Sequence, residues 1–219
     1  MIDLYCERLG PGLWAEPLNA LTNLAFFVAA WASWSMVRRS PSRSGEVSIL
    51  IVLMAIIGIG SGLFHTLATT WARVLDVLPI LVFQMWYLWV YARRIILLPW
   101  PWAAVLTLGF LGVTLLGREF PGVLNGALAY IPALLALAGL GIYHYWSKRR
   151  GPTVLLLASG VFLLALTFRT IDQAVCPYLT IGTHFLWHLL DAVVLYLATR
   201  AFVLNQEGHG GPLIEPKAQ

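Results

Sequence analysis

Charged side chains are scarce in this 219-residue sequence. Lysine and arginine together number 14, aspartate and glutamate number 10, and charged residues make up 11% of the chain against 59% hydrophobic residues. So few charges do not coat a soluble globule of this size, and the composition therefore excludes an ordinary soluble domain. The mean hydropathy of +0.78 instead favours a protein embedded in a lipid bilayer.

Internal repeats, low-complexity segments and a second soluble domain are also lacking. We expect one membrane domain over residues 1–204, followed by a polar, glycine-rich and disordered tail over residues 205–219. The net charge of +4 does not gather into a basic patch, which argues against nucleic acid as a partner. With its short loops the chain is expected to be able to act alone.

Seven apolar runs are long enough to cross a membrane. A hydrocarbon core of about 30 Å takes roughly 20 apolar residues per helix. By that measure the runs lie near residues 18–37, 47–68, 76–92, 102–117, 123–146, 153–169 and 181–203. The predicted fold class is therefore all-α, an integral membrane bundle of seven transmembrane helices.

The basic residues predict how this bundle is oriented. One side of the membrane carries most of them, namely Arg38, Arg39, Arg43, Arg93, Arg94, Lys148, Arg149, Arg150 and Arg200. The other side has only Arg73, Arg118 and Arg169, beside several acids. Because basic loops stay in the cytoplasm, we expect the amino terminus outside and the carboxyl terminus in the cytoplasm. The small size favours a bacterial inner membrane.

Five polar side chains fall at the outer ends of three predicted spans. Ser61 and His65 are one turn apart in the second span, and Asp76 begins the third. His184 and His188 lie four residues apart in the seventh span, which stacks them about 6 Å apart along one helix face. Ionisable groups inside a membrane are costly and usually mark a functional site. The topology gathers these five at one level of the bundle.

Three neutral imidazoles are what a catalytic zinc site requires, because three protein ligands leave a fourth position open for water. His184 and His188 would bind from one helix, and His65 from another. Such an ion lowers the pKa of bound water towards ~7. Asp76 would accept the proton of that water and return it to a leaving group. Ser61 would donate a hydrogen bond to the water or to a developing oxyanion.

The same residues also suit other roles. A proton relay or a structural hydrogen-bond network uses buried histidines and acids without any metal. Asp191, three residues after His188, either orients a ligand imidazole from outside the ligand set or forms a simple interhelical hydrogen bond. The residues alone leave these alternatives open.

Four stretches resemble the alkaline ceramidases, part of a larger group of seven-helix membrane hydrolases that includes the adiponectin receptors. They are YCERLGPGLWAEPLN, SGLFHTLATTWARVLDVLP, FRTIDQAVC and THFLWHLLD, and the resemblance covers about residues 5–203. An SxxxH motif, an aspartate eleven residues after its histidine, and an HxxWH motif occur in the family's order.

The resemblance implies roles for the five polar residues at the outer level. His65, His184 and His188 would be the zinc ligands, and Ser61 and Asp76 would assist catalysis. The implied reaction is hydrolysis of the ceramide amide to sphingosine and a fatty acid, with the lipid substrate entering sideways from the bilayer.

The resemblance also implies a calcium site in the amino-terminal arm, which is the segment before the first span. Glu7 and Glu16 match two of its acidic ligands, and Tyr5 stands where an aromatic residue offers its carbonyl oxygen. Leu4 and Leu9 replace an acid and an amide of the family, and Asp3 is the candidate substitute. Because Ca²⁺ binds six to eight oxygens, a solvated acidic loop is the alternative.

The chain has only two cysteines, Cys6 and Cys176, and the predicted topology puts both on the outer, oxidising side. The resemblance implies a disulfide between them that ties the amino-terminal arm to the loop before the seventh span, and two unpaired thiols are the alternative. Asp172 lies in the same stretch and is expected to order this loop, with Arg169 as a partner.

Three functions therefore stay in view. The leading one is a zinc-dependent membrane amidase that hydrolyses ceramide-like N-acyl lipids. The first rival is a hydrolase of another acyl amide or ester lipid. The second is a receptor or transporter-type seven-helix protein whose buried polar residues relay a signal or a proton.

Overall fold

The computed structural model describes residues 1–39 and 44–206. Within these ranges the chain is all-helical and contains no strand, which confirms the predicted fold class. The elements are α1 (Pro17–Thr22), α2 (Leu24–Arg38), α3 (Gly45–Leu67), α4 (Thr70–Arg94), α5 (Trp100–Arg118), a 3-10 segment (Val123–Tyr130), α6 (Ile131–Trp146), α7 (Val154–Val175) and α8 (His184–Gln206).

Seven helical stretches are long and apolar enough to cross a membrane, as the sequence predicts. Helices α1 and α2 together make the first stretch, and the 3-10 segment with α6 makes the fifth. Which end of the bundle faces the cytoplasm stays a prediction. Of the basic residues that favour the proposed orientation, Arg43 lies outside the described residues.

The fifth stretch is not one continuous α-helix over residues 123–146. Leu124, Asn125 and Gly126 have positive φ angles of 53°, 53° and 74°, a conformation that breaks a right-handed helix. Arg169 of α7 holds this turn, because its Nη1 donates to the Asn125 carbonyl at 2.8 Å and its own carbonyl accepts from the Asn125 amide at 3.4 Å. Regular α-helix therefore begins only at Ile131.

The last helix continues two residues into the predicted polar tail. Asn205 extends α8 because its amide group accepts from the Arg150 backbone N–H at 3.0 Å and donates to the Ala201 carbonyl at 2.8 Å. The remainder of the predicted disordered tail, residues 207–219, lies outside the described residues.

Helix α8 lies at the centre of the bundle. Thirteen of its 23 residues are buried, and it packs against α7, α2, α1, α3 and α4. Its first turn is consequently surrounded by protein rather than lipid. The polar groups carried there can be paired by neighbouring helices, which makes their burial tolerable.

Helices α3 and α4 approach each other closely at a glycine. A Cβ atom added to Gly60 would lie 2.0 Å from the Leu75 carbonyl oxygen, so the two backbones are in direct contact there. Small residues permit this kind of close helix packing in membranes. The contact brings Ser61, the residue after Gly60, beside Asp76, the residue after Leu75.

We predict that Gly60→Ala lowers the free energy of unfolding by about 1–3 kcal/mol, because the new methyl group must push α3 and α4 apart. Thermal unfolding of the detergent-solubilised protein measures the change. Gly62→Ala is the matched control in the same helix, since a Cβ atom there meets no atom within 4 Å. Equal stability of the two variants would contradict the close contact.

Candidate metal centre

Three imidazole rings face one another inside the bundle. His65 lies in the last turn of α3, and His184 and His188 lie in the first two turns of α8. Their exposed fractions are 0%, 2% and 1%. Each ring offers one nitrogen, and these three atoms all lie within 4.8 Å of one another. This is the only such group of histidine, cysteine or acidic side chains among the residues that the structure describes.

Two nitrogens in this cluster have no hydrogen-bond partner among the described residues, namely Nε2 of His65 and Nδ1 of His184. Buried polar atoms are nearly always paired in native proteins. Unpaired imidazole nitrogens in a cluster of three histidines fit a metal ion that accepts their lone pairs. The three histidines that the sequence predicts as ligands are thus brought together and could hold a metal.

The ring of His65 is oriented by a carboxylate. Its Nδ1 lies 2.5 Å from Oε2 of Glu16, a side chain that is only 2% exposed. Burial alone would raise the pKa of Glu16, but hydrogen bonds from His65, Arg8 and Asn19 hold it below its ordinary value. An ionised Glu16 accepts the Nδ1 proton and leaves Nε2 free for a metal, the usual arrangement behind a metal-binding histidine.

The ring of His188 is held by a hydroxyl. Its Nδ1 lies 3.0 Å from Oγ1 of Thr22, at the end of α1. Asp191, the acid predicted to orient an imidazole, instead lines a small apolar cavity with Phe83 and Tyr87 of α4, and its Oδ2 has no partner among the described residues. Contact between Asp191 and a ligand ring stays a prediction.

Ser61 and Asp76 lie together beside the imidazole cluster. The Asp76 carboxylate interacts with the Ser61 hydroxyl and, electrostatically, with His65. Ser61 is buried, whereas Asp76 is partly exposed. Asp76 does not belong to the group of potential ligands. Its position suits proton transfer next to the cluster rather than ligation.

The sequence predicts that Arg169 pairs with Asp172, but the structure gives Arg169 other partners. Its guanidinium lies over the rings of Tyr130 and Trp187, 5.1 and 5.9 Å from their centroids, and its Nη1 donates to the Asn125 carbonyl. Arg169 also lines a cavity of about 360 Å³ between α4, α5, the 3-10 segment and α7.

Asp172 anchors the start of α8. Its Oδ1 accepts from the backbone N–H groups of Thr183 and His184, at 2.7 and 2.9 Å, and its Oδ2 accepts from that of Cys6 at 2.9 Å. The first amides of a helix lack internal partners, so a buried carboxylate there stabilises the helix start. Gly182, with φ of 64°, is required because a Cβ atom would lie 2.2 Å from Oδ1 of Asp172.

The amino-terminal arm covers the imidazole cluster. Cys6 and Cys176 form a disulfide with a Cα–Cα distance of 5.5 Å, which ties the arm to the end of α7. Tyr5 stacks on His184 with ring centroids 3.6 Å apart and an interplanar angle of 11°. Burial raises the pKa of Tyr5 far above its ordinary value, so the phenol stays neutral.

The residues matched to the calcium site do not fit one. Both oxygens of Glu7 accept backbone N–H groups of residues 18 and 19, at 2.6 and 2.8 Å. The oxygens of Glu16 are engaged by Arg8 and His65, and the Tyr5 carbonyl accepts the Arg8 N–H at 3.2 Å. A cation that needs six to eight oxygens finds too few free ones on these residues in the part of the chain that the structure describes.

A family model described as Ceramidase matches residues 10–210, which include all seven spans and the three histidines. The chain belongs to the ceramidase family. Membership confirms the resemblance in the sequence motifs and implies a hydrolase that acts on amide bonds. No curated protein matches this ceramidase-family chain.

Sequence reasoning missed four contacts in this ceramidase centre. It assigned Glu16 to calcium rather than to His65, gave no role to Thr22 and Arg8, and paired Asp172 with the wrong group. One signal was available for Arg8: a single basic residue stands between two acids, Glu7 and Glu16, in an otherwise uncharged arm segment. Nothing in the spacing identifies Thr22.

We predict that Asp172→Asn lowers the free energy of unfolding by about 1.5–3 kcal/mol, because an amide replaces a charged acceptor and points an N–H group at other donors. Thermal unfolding and limited proteolysis near residue 183 measure the effect. Asp3→Asn is the control, since Asp3 is an exposed acid of the same arm. A change no larger than that of Asp3→Asn would contradict the anchoring role.

Proposed function

We propose that the chain is a zinc-dependent membrane amidase that hydrolyses ceramide-like N-acyl lipids to a sphingoid base and a fatty acid. The observation that carries the proposal is the buried cluster of His65, His184 and His188 in a ceramidase-family chain. Two nitrogens of this cluster have no hydrogen-bond partner among the described residues. Three imidazoles are the donor set of several catalytic zinc sites. Bound there, zinc would polarise the amide carbonyl and lower the pKa of water.

Asp76 and Ser61 supply the remaining chemistry. Asp76 accepts a proton from the attacking water and returns it to the nitrogen of the departing amine. A C–O bond forms and the C–N bond breaks, so that one amide and one water give one acid and one amine. Ser61 donates a hydrogen bond to the carbonyl oxygen as negative charge develops on it. The close contact of α3 and α4 at Gly60 fixes these two groups relative to each other.

The lipid substrate reaches the centre from the bilayer. The cavity of about 360 Å³ lies between α4, α5, the 3-10 segment and α7, and both apolar residues such as Leu81 and the polar groups of Tyr130 and Arg169 line it. Apolar chains and a polar head group would both find matching surfaces there. In the predicted orientation, with the amino terminus outside, the metal centre lies near the outer leaflet of a bacterial inner membrane.

The unpaired nitrogens also bear on the rival functions. A proton relay of a receptor or transporter needs hydrogen bonds that link its histidines, whereas His65 Nε2 and His184 Nδ1 have none among the described residues. The family match favours amide over ester lipids. Hydrolysis of another acyl lipid is distinguished from ceramide hydrolysis by direct assay on a panel of N-acyl and O-acyl lipids.

We predict that the purified protein contains about one zinc per chain and hydrolyses N-acyl sphingoid lipids in a chelator-sensitive manner. His184→Ala should lose both the metal and the turnover, because two imidazoles no longer complete the donor set. His144→Gln is the control, since His144 is equally buried but binds Tyr91, away from the cluster. Normal lipid hydrolysis by His184→Ala would refute the proposal.

Asp76→Asn is predicted to keep the metal and to lose turnover by about 10²–10⁴-fold, because an amide does not shuttle protons. Metal content and hydrolysis are measured on the same sample, with the exposed Glu119→Gln as the control. Equal loss of metal and activity would instead place Asp76 among the ligands.

A further inference from the structure

A buried arginine lies directly behind the metal centre. Arg8 is 4% exposed, and its Nε lies 2.5 Å from Oε1 of Glu16. Its Nη2 donates to the backbone carbonyl of His65 at 2.8 Å. One guanidinium thus contacts both the carboxylate that orients His65 and the backbone of His65 itself.

The negative charge of the buried Glu16 carboxylate explains why a cation is needed beside it. Glu16 is 2% exposed, and an ionised carboxylate is buried only when it is paired and hydrogen-bonded. Arg8 supplies one positive charge at contact distance, and His65 and Asn19 donate the remaining hydrogen bonds. The negative charge of Glu16 is therefore balanced without any ion from solution.

The contact between Arg8 and the His65 backbone carbonyl gives Arg8 a second structural role. His65 lies in the last turn of α3, where carbonyl groups have no partner within the helix. A guanidinium there satisfies such a carbonyl and interacts favourably with the negative end of the helix dipole. Arg8 consequently holds the end of α3 in place, and with it the backbone from which the His65 ring projects.

Extending the proposed function, we propose that Arg8 is a built-in cation that replaces calcium in the amino-terminal arm and acts as a positioning residue for the metal ligand His65. The residues that would bind Ca²⁺ are engaged by the chain's own donors. Leu4 and Leu9 carry no oxygen in their side chains. A planar fork that reaches Glu16 and the His65 carbonyl together is a property of arginine and not of lysine.

The first test compares the wild-type protein in Ca²⁺ and in a calcium-selective chelator. We expect the same thermal unfolding midpoint and the same zinc content in both conditions, because the Arg8 guanidinium already pairs with the Glu16 carboxylate. A saturable rise of the midpoint with added Ca²⁺ would overturn the proposal.

The second test replaces the guanidinium. Arg8→Gln is expected to lower the unfolding midpoint and to speed the release of zinc to a chromogenic chelator by about 10-fold or more, as for other residues that orient a metal ligand. Arg94→Gln is the matched control, because Arg94 forms an exposed ion pair with Glu46, away from the metal centre. Zinc release from Arg8→Gln as slow as from the control would refute the positioning role.

Arg8→Lys keeps the test decisive if Arg8→Gln does not fold. Lysine retains the charge but not the fork, so we expect folding with an intermediate rate of zinc release. A rate equal to that of wild type would show that charge alone matters and contradict the role of the His65 carbonyl contact. These readouts do not depend on lipid hydrolysis, so failure to cleave ceramides would refute the proposed function while leaving this inference standing.

Discussion

Lone pairs on buried imidazoles are the constraint on which the rest of this structure depends. The nitrogens of histidines in an apolar interior are nearly always paired. Here Glu16 and Thr22 pair one nitrogen each of His65 and His188, while Nε2 of His65 and Nδ1 of His184 lack partners among the described residues. A metal ion would resolve this imbalance, and the surrounding contacts hold the three rings together.

Those contacts come from segments that are distant in the sequence. Asp172 of α7 fixes the start of α8 and therefore His184, while the arm fixes the end of α3 and therefore His65 through Arg8 and Glu16. The disulfide between Cys6 and Cys176 joins the arm to α7 and links the two anchors. A rigid support of this kind would keep the three histidines close to the geometry that a catalytic metal requires.

The sequence predicts what hydrophobic pattern and residue type can specify. Apolar runs locate the seven spans because a bilayer fixes their length, and an i, i+4 pair such as His184 and His188 shares one helix face by geometry alone. Bringing His65 to that pair needs only the alternating direction of successive spans. Each of these predictions follows from the local sequence pattern or from the order of the spans. None of them requires knowledge of the tertiary contacts.

The features of the fold and the site that the sequence does not predict depend on tertiary contacts between distant residues. The break at residues 124–126 is stabilised by Arg169, 44 positions away, and no local signal at Leu124 marks it. Glu16 suits calcium by type, yet Arg8 and His65 engage it once the arm folds over α3. A polar residue can be recognised as functional from its place in the sequence, but its partner is decided by packing.

The central claim is that three imidazole nitrogens bind one zinc ion inside the bundle. X-ray absorption spectroscopy of the purified protein at the zinc edge tests it most directly, since it reports the type and distance of the ligand atoms. The account predicts three histidine nitrogens at about 2.0–2.1 Å, with one further light atom. A shell of sulfur atoms at about 2.3 Å, or a shell of oxygens without imidazole scattering, would contradict it.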